Sequence, residues 1–172
     1  GLAINPTTTS ATESTLELNS SLANPTDMVE CTATATDANG GTATISGCVT
    51  LQNTAPVFTS AAEITPDSGV VVGTALTCSA VAEDADDGVL GVSYEWSVGT
   101  TVLGSGPSYV VDANDINVGD SIVCTAMATD SDGESISSTD NVTVENTAPT
   151  LSAVVITPSS GIVNSDTLTC SV

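Results

Sequence analysis

The chain has 172 residues, of which 21 are acidic and none is Lys, Arg or His, so its formal net charge is -21. Nucleic acids and anionic membrane surfaces are bound through Lys and Arg, which excludes those partners and leaves cations as the expected counter-charges. Without His or Lys the usual general bases and amine nucleophiles are absent, and only carboxylates remain. A carboxylate pair of the glycosidase kind is the catalytic alternative, but such sites usually lie in aromatic-lined clefts and aromatic residues are few here, so we expect no enzymatic activity.

The hydrophobic fraction of 40% and the positive mean hydropathy predict a folded chain, since disordered acidic chains are poor in apolar residues. No apolar run approaches the roughly 20 residues needed to cross a bilayer, and no signal segment opens the sequence. With Gly1 as its first residue, the chain is expected to be a processed product or a part of something longer.

An internal repeat organises the sequence. The tetrapeptide Asn-Thr-Ala-Pro at 53–56 recurs at 146–149, an offset of 93 residues. Leu-Thr-Cys-Ser at 76–79 recurs at 168–171, an offset of 92. The chain is therefore predicted to contain three segments: the C-terminal portion of one repeat (1–52), a complete repeat (53–145), and the N-terminal strands of a third repeat (146–172), completed by a neighbouring copy.

Short strands separated by Gly, Pro, Asp and Asn clusters are predicted throughout the complete repeat, which shows no helical periodicity. The predicted strands lie at 57–64, 70–82, 90–98, 108–111, 120–129 and 134–145. In the fifth of these, Ile122, Cys124, Ala126 and Ala128 alternate and share one face. Because aromatic residues are few, the core is expected to consist of Val, Ile, Leu and Ala. The fold class is predicted to be all-β, with antiparallel β-sandwich repeats of about 93 residues.

The order Cys78, Trp96, Cys124 resembles the pattern of immunoglobulin-like domains. In that family a disulfide joins strands B and F across the core, and a Trp of strand C packs on it, which implies a Cys78–Cys124 bond here. The strand-to-linker segments around Asn-Thr-Ala-Pro also resemble the boundaries of cadherin-like and PKD-like modules of microbial surface proteins. The resemblance implies tandem immunoglobulin-like domains in extracellular rods that adhere or form fibres, often stiffened by calcium.

Two further cysteines lack a mate within their own repeat. By the period, Cys31 corresponds to Cys124, and Cys170 corresponds to Cys78. We hypothesise that the end of one copy and the start of the next complete a further sandwich, with Cys170 bonded to Cys31 of the neighbour, so that the unit polymerises head to tail. The two segments belong either to one continuous longer polypeptide or to separate chains that complement each other's strands.

Cys48 corresponds to Asn141 and is expected to face outward, where it would bond another strand or filament. A local bridge between Cys48 and Cys31 across the hairpin is the competing interpretation. For Cys78 and Cys124, the alternative to a disulfide is a pair of buried thiols; signs of secretion favour the disulfide.

Acidic residues cluster in two predicted loops of the complete repeat. Five of them are candidate Ca²⁺ ligands: Asp84, Asp86, Asp87, Asp130 and Asp132. In an immunoglobulin-like sandwich the B to C and F to G loops share one pole, where the linker containing Asn53 would enter. Oxygen ligands in irregular geometry suit Ca²⁺, which takes about 6 to 8 of them. The same acidic, Gly-containing segments are also typical of tight turns without a metal.

Asn19 and Asn141 each begin an N-glycosylation acceptor pattern, Asn19 in a predicted turn and Asn141 on a strand, where it must face outward. The predicted function is that of a structural or adhesive component of an extracellular filament or cell-surface fibre. The alternative is a carbohydrate- or protein-binding module of a secreted surface protein. Carbohydrate-binding platforms use exposed aromatic residues, and Trp96 is predicted to be buried, which favours the first function.

Overall fold

The computed structural model describes residues 8–9 and 13–172, and within these ranges the chain forms strands and turns without a helix. The first seven strands in chain order are β1 (Thr8–Thr9), β2 (Ser14–Thr15), β3 (Met28–Thr36), β4 (Thr42–Thr50), β5 (Val57–Thr65), β6 (Ala75–Asp84) and β7 (Gly88–Leu90). The other seven are β8 (Val92–Val98), β9 (Thr101–Ser105), β10 (Ser108–Val110), β11 (Ser121–Thr129), β12 (Ser135–Thr143), β13 (Val155–Thr157) and β14 (Thr169–Ser171).

Strands β5 to β12 form two antiparallel sheets that enclose a common core. One sheet has the order β10-β6-β5, with β7 also paired to β6, and the other has the order β12-β11-β8-β9. The fold of the described chain is therefore all-β, with antiparallel sheets arranged as in a β-sandwich. This part of the molecule is called the middle sandwich below.

Alternation along the strands explains why the two sheets face each other. In β11 the side chains of Ile122, Cys124, Ala126 and Ala128 are buried, as their spacing predicts. Leu76 and Cys78 alternate in the same way along β6 in the opposite sheet. Burial of these apolar side chains between the two sheets forms the core.

Trp96 is the largest fully buried side chain of the core. It lies on β8 directly opposite Cys124 of β11, and its Nε1 donates a hydrogen bond of 2.9 Å to the carbonyl of Gly106. The indole stacks on Tyr109 of β10, with ring centroids 5.9 Å apart. Because β10 belongs to the other sheet, this contact helps to hold the two sheets together.

The structure corrects three details of the predicted strands. The strand predicted at 70–82 begins only at Ala75, because Gly73 takes a positive φ of 88° within a turn. The strand predicted at 90–98 is interrupted at Gly91, where the chain crosses from the sheet of β6 to the sheet of β11. Strand β9 was not predicted, since Gly104 weakens its strand pattern; it pairs with β8 as a hairpin.

Two further hairpins flank the middle sandwich, and their registers reproduce hairpins within it. Residues of β3 and β4 pair as β11 and β12 do after addition of 93: Met28 faces Thr50, as Ser121 faces Thr143. Residues of β13 and β14 pair as β5 and β6 do after addition of 92. The sequence repeat is thus accompanied by a repeat of strand register.

Candidate functional site

Cys78 and Cys124 form a disulfide that joins β6 of one sheet to β11 of the other. Their Cα atoms lie 6.5 Å apart, and both side chains are buried in the core. The disulfide is present as the immunoglobulin-like resemblance implies. It closes a loop that includes β7 to β10, so it restrains both sheets of the middle sandwich.

The hairpin β3–β4 has one apolar face that no described residue covers. The pairs on this face are Val29 with Val49, Cys31 with Gly47, Ala33 with Ile45, and Ala35 with Ala43. Val49 is 64% exposed, whereas its counterpart in the middle sandwich, Val142, is 3% exposed. The face that β11–β12 buries against β5–β6 is therefore open in β3–β4.

The hairpin β13–β14 shows the complementary situation. Ile156 pairs with Cys170, as Ile64 pairs with Cys78 in the middle sandwich. Ile156 is 50% exposed, and Ile64 is 1% exposed. The apolar side chains that β5–β6 contributes to a core are thus present in β13–β14 without a described partner.

The contact between β5 and β12, called the polar seam, is made through side chains. The backbone N–H of Ala62 donates to Oγ of Ser138 at 3.0 Å, and the N–H of Ile64 donates to Oδ2 of Asp140 at 2.8 Å. Ser138 and Asp140 are half-buried and point to the same face as Val142. We did not predict these acceptors. The sequence feature that could have indicated them is a polar residue at two inward positions of an alternating strand, Ser138 and Asp140.

The corresponding positions of β4 are Ile45 and Gly47, and neither side chain can accept a hydrogen bond. A Cβ atom placed on Gly47 would meet no other atom within 4 Å. The free edge of β4 therefore differs chemically from the edge of β12, although the two hairpins share their register.

Cys31, Cys48 and Cys170 are free thiols with exposed side chains. Cys31 lies opposite Gly47, and Cys48 lies opposite Glu30, so the register places the two cysteines on opposite faces of β3–β4. The local Cys31–Cys48 bridge considered above is not formed. Cys31 lies on the apolar face, as Cys124 does in the middle sandwich.

The linker before β5 is held by the loop between β11 and β12. Nδ2 of Asn53 donates to Oδ2 of Asp130 at 2.9 Å and to Oε2 of Glu134 at 3.0 Å. The loop between β6 and β7 holds the next residue, since the N–H of Thr54 donates to Oδ2 of Asp86 at 2.9 Å. The linker is therefore fixed to the sandwich that follows it. We expected Asn53 at this pole, but we did not predict that its amide binds both acidic side chains.

The two loops at this pole are also bonded to each other. Ser131 donates from its backbone N–H to Oδ2 of Asp87 at 2.7 Å and from its hydroxyl to Oδ1 at 2.9 Å. The loops that were predicted to share a pole are thus in direct contact. The serine and the aspartate hold the two loops together.

Two of the five predicted Ca²⁺ ligands, Asp84 and Asp130, serve as acceptors within their own turns. Oδ1 of Asp84 accepts from the backbone of Asp86 and Asp87, and Oδ1 of Asp130 accepts from Asp132 and Glu134. Across residues 8–9 and 13–172, no group of three or more His, Cys, Asp or Glu side chains adopts a metal-binding arrangement. The turn chemistry that was the alternative to calcium is therefore present at both loops.

Two oxygen atoms at the pole nevertheless lack a donor. Oδ2 of Asp84 and Oδ1 of Asn53 are buried and accept no hydrogen bond from any described residue. Asp84 is only 6% exposed, so its free oxygen lies away from bulk solvent. Carboxylate and amide oxygens are the donor type that Ca²⁺ prefers.

Equivalent aspartates at the two hairpin tips have lowered pKa values. The Asn53 side-chain hydrogen bond, followed by backbone N–H groups of the turn, holds the pKa of Asp130 below its ordinary value of 3.8. Backbone hydrogen bonds from Gly41 and Asn39 lower the pKa of Asp37 in the same way. Both turns are therefore stabilised by the ionised form of the aspartate.

Both candidate glycosylation residues are exposed. Asn19 lies before a turn, where its Oδ1 accepts from the backbone N–H of Ser21 at 3.1 Å. Asn141 lies on β12 and points away from the core, and its Oδ1 accepts from the hydroxyl of Ser121 at 3.4 Å. Each side chain is therefore accessible for the attachment of a glycan.

The sequence matches no protein-family model, and searches among curated proteins and among solved structures gave no match. Within the described ranges, no helix has the length and apolar character needed to span a membrane.

Proposed function

We propose that the chain is a structural or adhesive component of an extracellular filament or cell-surface fibre, built from tandem immunoglobulin-like repeats of about 93 residues. Neighbouring copies join head to tail. The observation that carries the proposal is the pair of flanking hairpins, which have the registers of β11–β12 and β5–β6 but leave their apolar faces open. In the middle sandwich those same faces bury each other.

The immunoglobulin-like assignment is supported by the positions of the disulfide and of the Trp. The disulfide joins β6 of one sheet to β11, a central strand of the other sheet, and Trp96 on β8 lies opposite Cys124. Each of these features belongs to the immunoglobulin-like sandwich. The disulfide also favours an extracellular location, since disulfides persist in oxidising compartments.

The proposed joint places β13–β14 of one copy on the apolar face of β3–β4 of another. Cys170 then stands to Cys31 as Cys78 stands to Cys124, and the two thiols form the equivalent disulfide in an oxidising environment. Burial of the open faces favours the joint, since apolar area removed from water contributes about 25 cal/mol per Å².

Non-reducing electrophoresis tests the covalent joint. A Cys48→Ser variant, oxidised in a glutathione buffer, is expected to give a ladder of multiples of 16.9 kDa. The same variant with Cys170→Ser added should lose the ladder and serves as the matched control. A single band at 16.9 kDa from the Cys48→Ser variant would remove the covalent joint from the proposal.

Calcium at the pole of the middle sandwich is part of the proposal. The ion would be held first by the two oxygens without donors, Oδ2 of Asp84 and Oδ1 of Asn53. A divalent cation there would offset the repulsion among the carboxylates of the two loops and stiffen the linker.

A carbohydrate-binding module is disfavoured by the positions of the aromatic residues. Trp96 is buried, and Phe58, Tyr94 and Tyr109 are partly buried against the core. These are all the aromatic side chains of the chain, so none forms an exposed stacking platform for a sugar.

A further inference from the structure

We propose that β13 of one copy adds as a new strand to the free edge of β4 in another copy, backbone to backbone around Gly47. This inference rests on the proposed function, which makes a second copy of the chain the partner. It assigns the surface at which the copies recognise each other and the reason why they do not exchange strands with the middle sandwich.

The edge of β4 is open to strand addition. Within the described chain β4 pairs only with β3, whereas the corresponding edge of β12 faces β5 across the polar seam. Unpaired N–H and C=O groups along such an edge are a template for another strand. An incoming strand in the place of β5 must also find acceptors for its own N–H groups.

Side chains of β4 cannot supply those acceptors. Ser138 and Asp140 accept the N–H groups of β5 in the middle sandwich, but their counterparts are Ile45 and Gly47. The backbone carbonyls of β4 remain as acceptors, and they can be used only if the two backbones approach closely. Gly47 permits this approach, because it has no Cβ and the space beside it is empty to 4 Å.

Strand β13 has the side chains that such an edge requires. Counting back from the shared Ile-Thr-Pro segments, Val154 just before β13 corresponds to Ala62, and Val155 corresponds to Glu63. Val154 and Val155 are both more than half exposed. The larger Val154 can pack on Ile45, so both sides of this second seam are apolar.

The segment between the linker and the Ile of β13 is also one residue shorter than the corresponding segment of β5. Eight residues, 57–64, follow the first Asn-Thr-Ala-Pro linker up to Ile64, and seven residues, 150–156, follow the second up to Ile156. The register of β5 against β6 shifts twice between Phe58 and Glu63, which marks a bulge. The missing residue falls in this bulged stretch, and a strand with one residue fewer there is better suited to regular pairing along an edge.

Two chemically different seams give the assembly its specificity. Strand β5 presents N–H groups to the oxygens of Ser138 and Asp140, whereas β13 meets an apolar edge with a glycine. Insertion of β13 next to β12 would place Val154 against Ser138, and insertion of β5 next to β4 would leave its N–H groups without side-chain acceptors. Each hairpin therefore favours its own partner.

A mixing experiment with the full chain tests the inference. One form carries Cys48→Ser and Cys170→Ser and keeps Cys31, and the other carries Cys31→Ser and Cys48→Ser and keeps Cys170. Their disulfide-linked dimer is quantified against concentration in a glutathione buffer. Gly47→Asp in the first form restores the acceptor of the polar seam but fills the space needed by the incoming backbone; we expect it to raise the half-maximal concentration roughly tenfold or more.

Ser46→Asp is the matched control, since it adds the same charge one residue away on the opposite face and should change the half-maximal concentration less than about twofold.

Val154→Ser in the second form tests the other side of the seam and leaves β3–β4 untouched. It should weaken dimer formation more than Val155→Ser on the opposite face of β13. Equal or tighter dimer formation by the Gly47→Asp form would overturn the proposal that β13 adds to the edge of β4 at Gly47. Absence of any dimer from the unsubstituted pair would instead overturn the head-to-tail proposal itself.

Discussion

At the tip of each long hairpin an aspartate carboxylate folds back onto its own turn. Asp37 and Asp130 occupy equivalent positions and accept backbone N–H groups of the turn residues that follow them. Asp130 has an additional partner, because Asn53 of the linker donates to its second oxygen. Asp37 therefore closes only its own turn, whereas Asp130 closes its turn and also anchors the linker.

The Asn53–Asp130 contact predicts how stability depends on pH. Because the folded pKa of Asp130 lies below 3.8, its contribution is fully present above the unfolded pKa and is lost as the pH falls through the folded value. The urea midpoint of the native chain should therefore exceed that of Asp130→Asn by a constant amount above about pH 5, and the difference should shrink below about pH 4.

Asp132→Asn is the control for this measurement, since it removes a charge from the same loop and its carboxylate accepts none of the hydrogen bonds found in the described chain. It should change the urea midpoint much less at neutral pH. A midpoint of Asp130→Asn that tracks the native value at every pH would show that the contact does not stabilise the fold.

At the scale of strands and hairpins, sequence reasoning predicted most of what depends on alternation. Ile122, Cys124 and their neighbours on β11 are buried as expected, because a period of two fixes which side chains face inward. The crossing between sheets at Gly91 could not be predicted in this way, since it depends on which strand each half pairs with. The polar seam was missed for the same reason: its acceptors serve a strand more than 70 residues away.

The disulfide is expected to be the largest single contribution to the stability of the middle sandwich. It closes a loop with a sequence separation of 46, for which chain entropy gives about 4 kcal/mol. The paired substitution Cys78→Ala and Cys124→Ala should lower the free energy of unfolding by about that amount. Urea denaturation followed by the fluorescence of Trp96, the only Trp of the chain, measures the loss within this sandwich.

Cys48→Ser is the matched control, because this exposed thiol lies outside the middle sandwich. Its unfolding midpoint should equal that of the native chain. If the paired alanine variant also unfolded at the native midpoint, the disulfide would not be what stabilises this core.

For the whole molecule, the net charge of -21 determines which groups can neutralise the carboxylates. No basic side chain exists to pair with any carboxylate, so the acidic loops depend on hydrogen-bond donors and on ions from solution. These loops converge at one pole, as the immunoglobulin-like resemblance implies. Turn capping was the alternative to metal binding, because the two use the same residues at the same spacing. The carboxylates of Asp84, Asp86, Asp87 and Asp130 do accept backbone N–H groups.

Calcium should raise the melting temperature of the native chain, and a chelator should reverse the increase. Asp84→Asn retains a side-chain oxygen to accept from the turn but removes the carboxylate charge at the atom without a donor, so it should lose most of the calcium response. Glu30→Gln, an exposed carboxylate on β3, should retain it. An identical melting transition with calcium and with chelator would show that calcium does not stabilise this fold.

Electron microscopy of the purified chain under oxidising conditions is the sharpest test of the proposal that copies of this chain join end to end into a fibre. We expect unbranched filaments with an axial repeat of two sandwiches per copy, at least about 60 Å given strands of nine residues. The Cys170→Ser variant with Gly47→Asp should not form them. Dispersed single particles of the native chain, with the thiols of Cys31 and Cys170 still free, would contradict the claim.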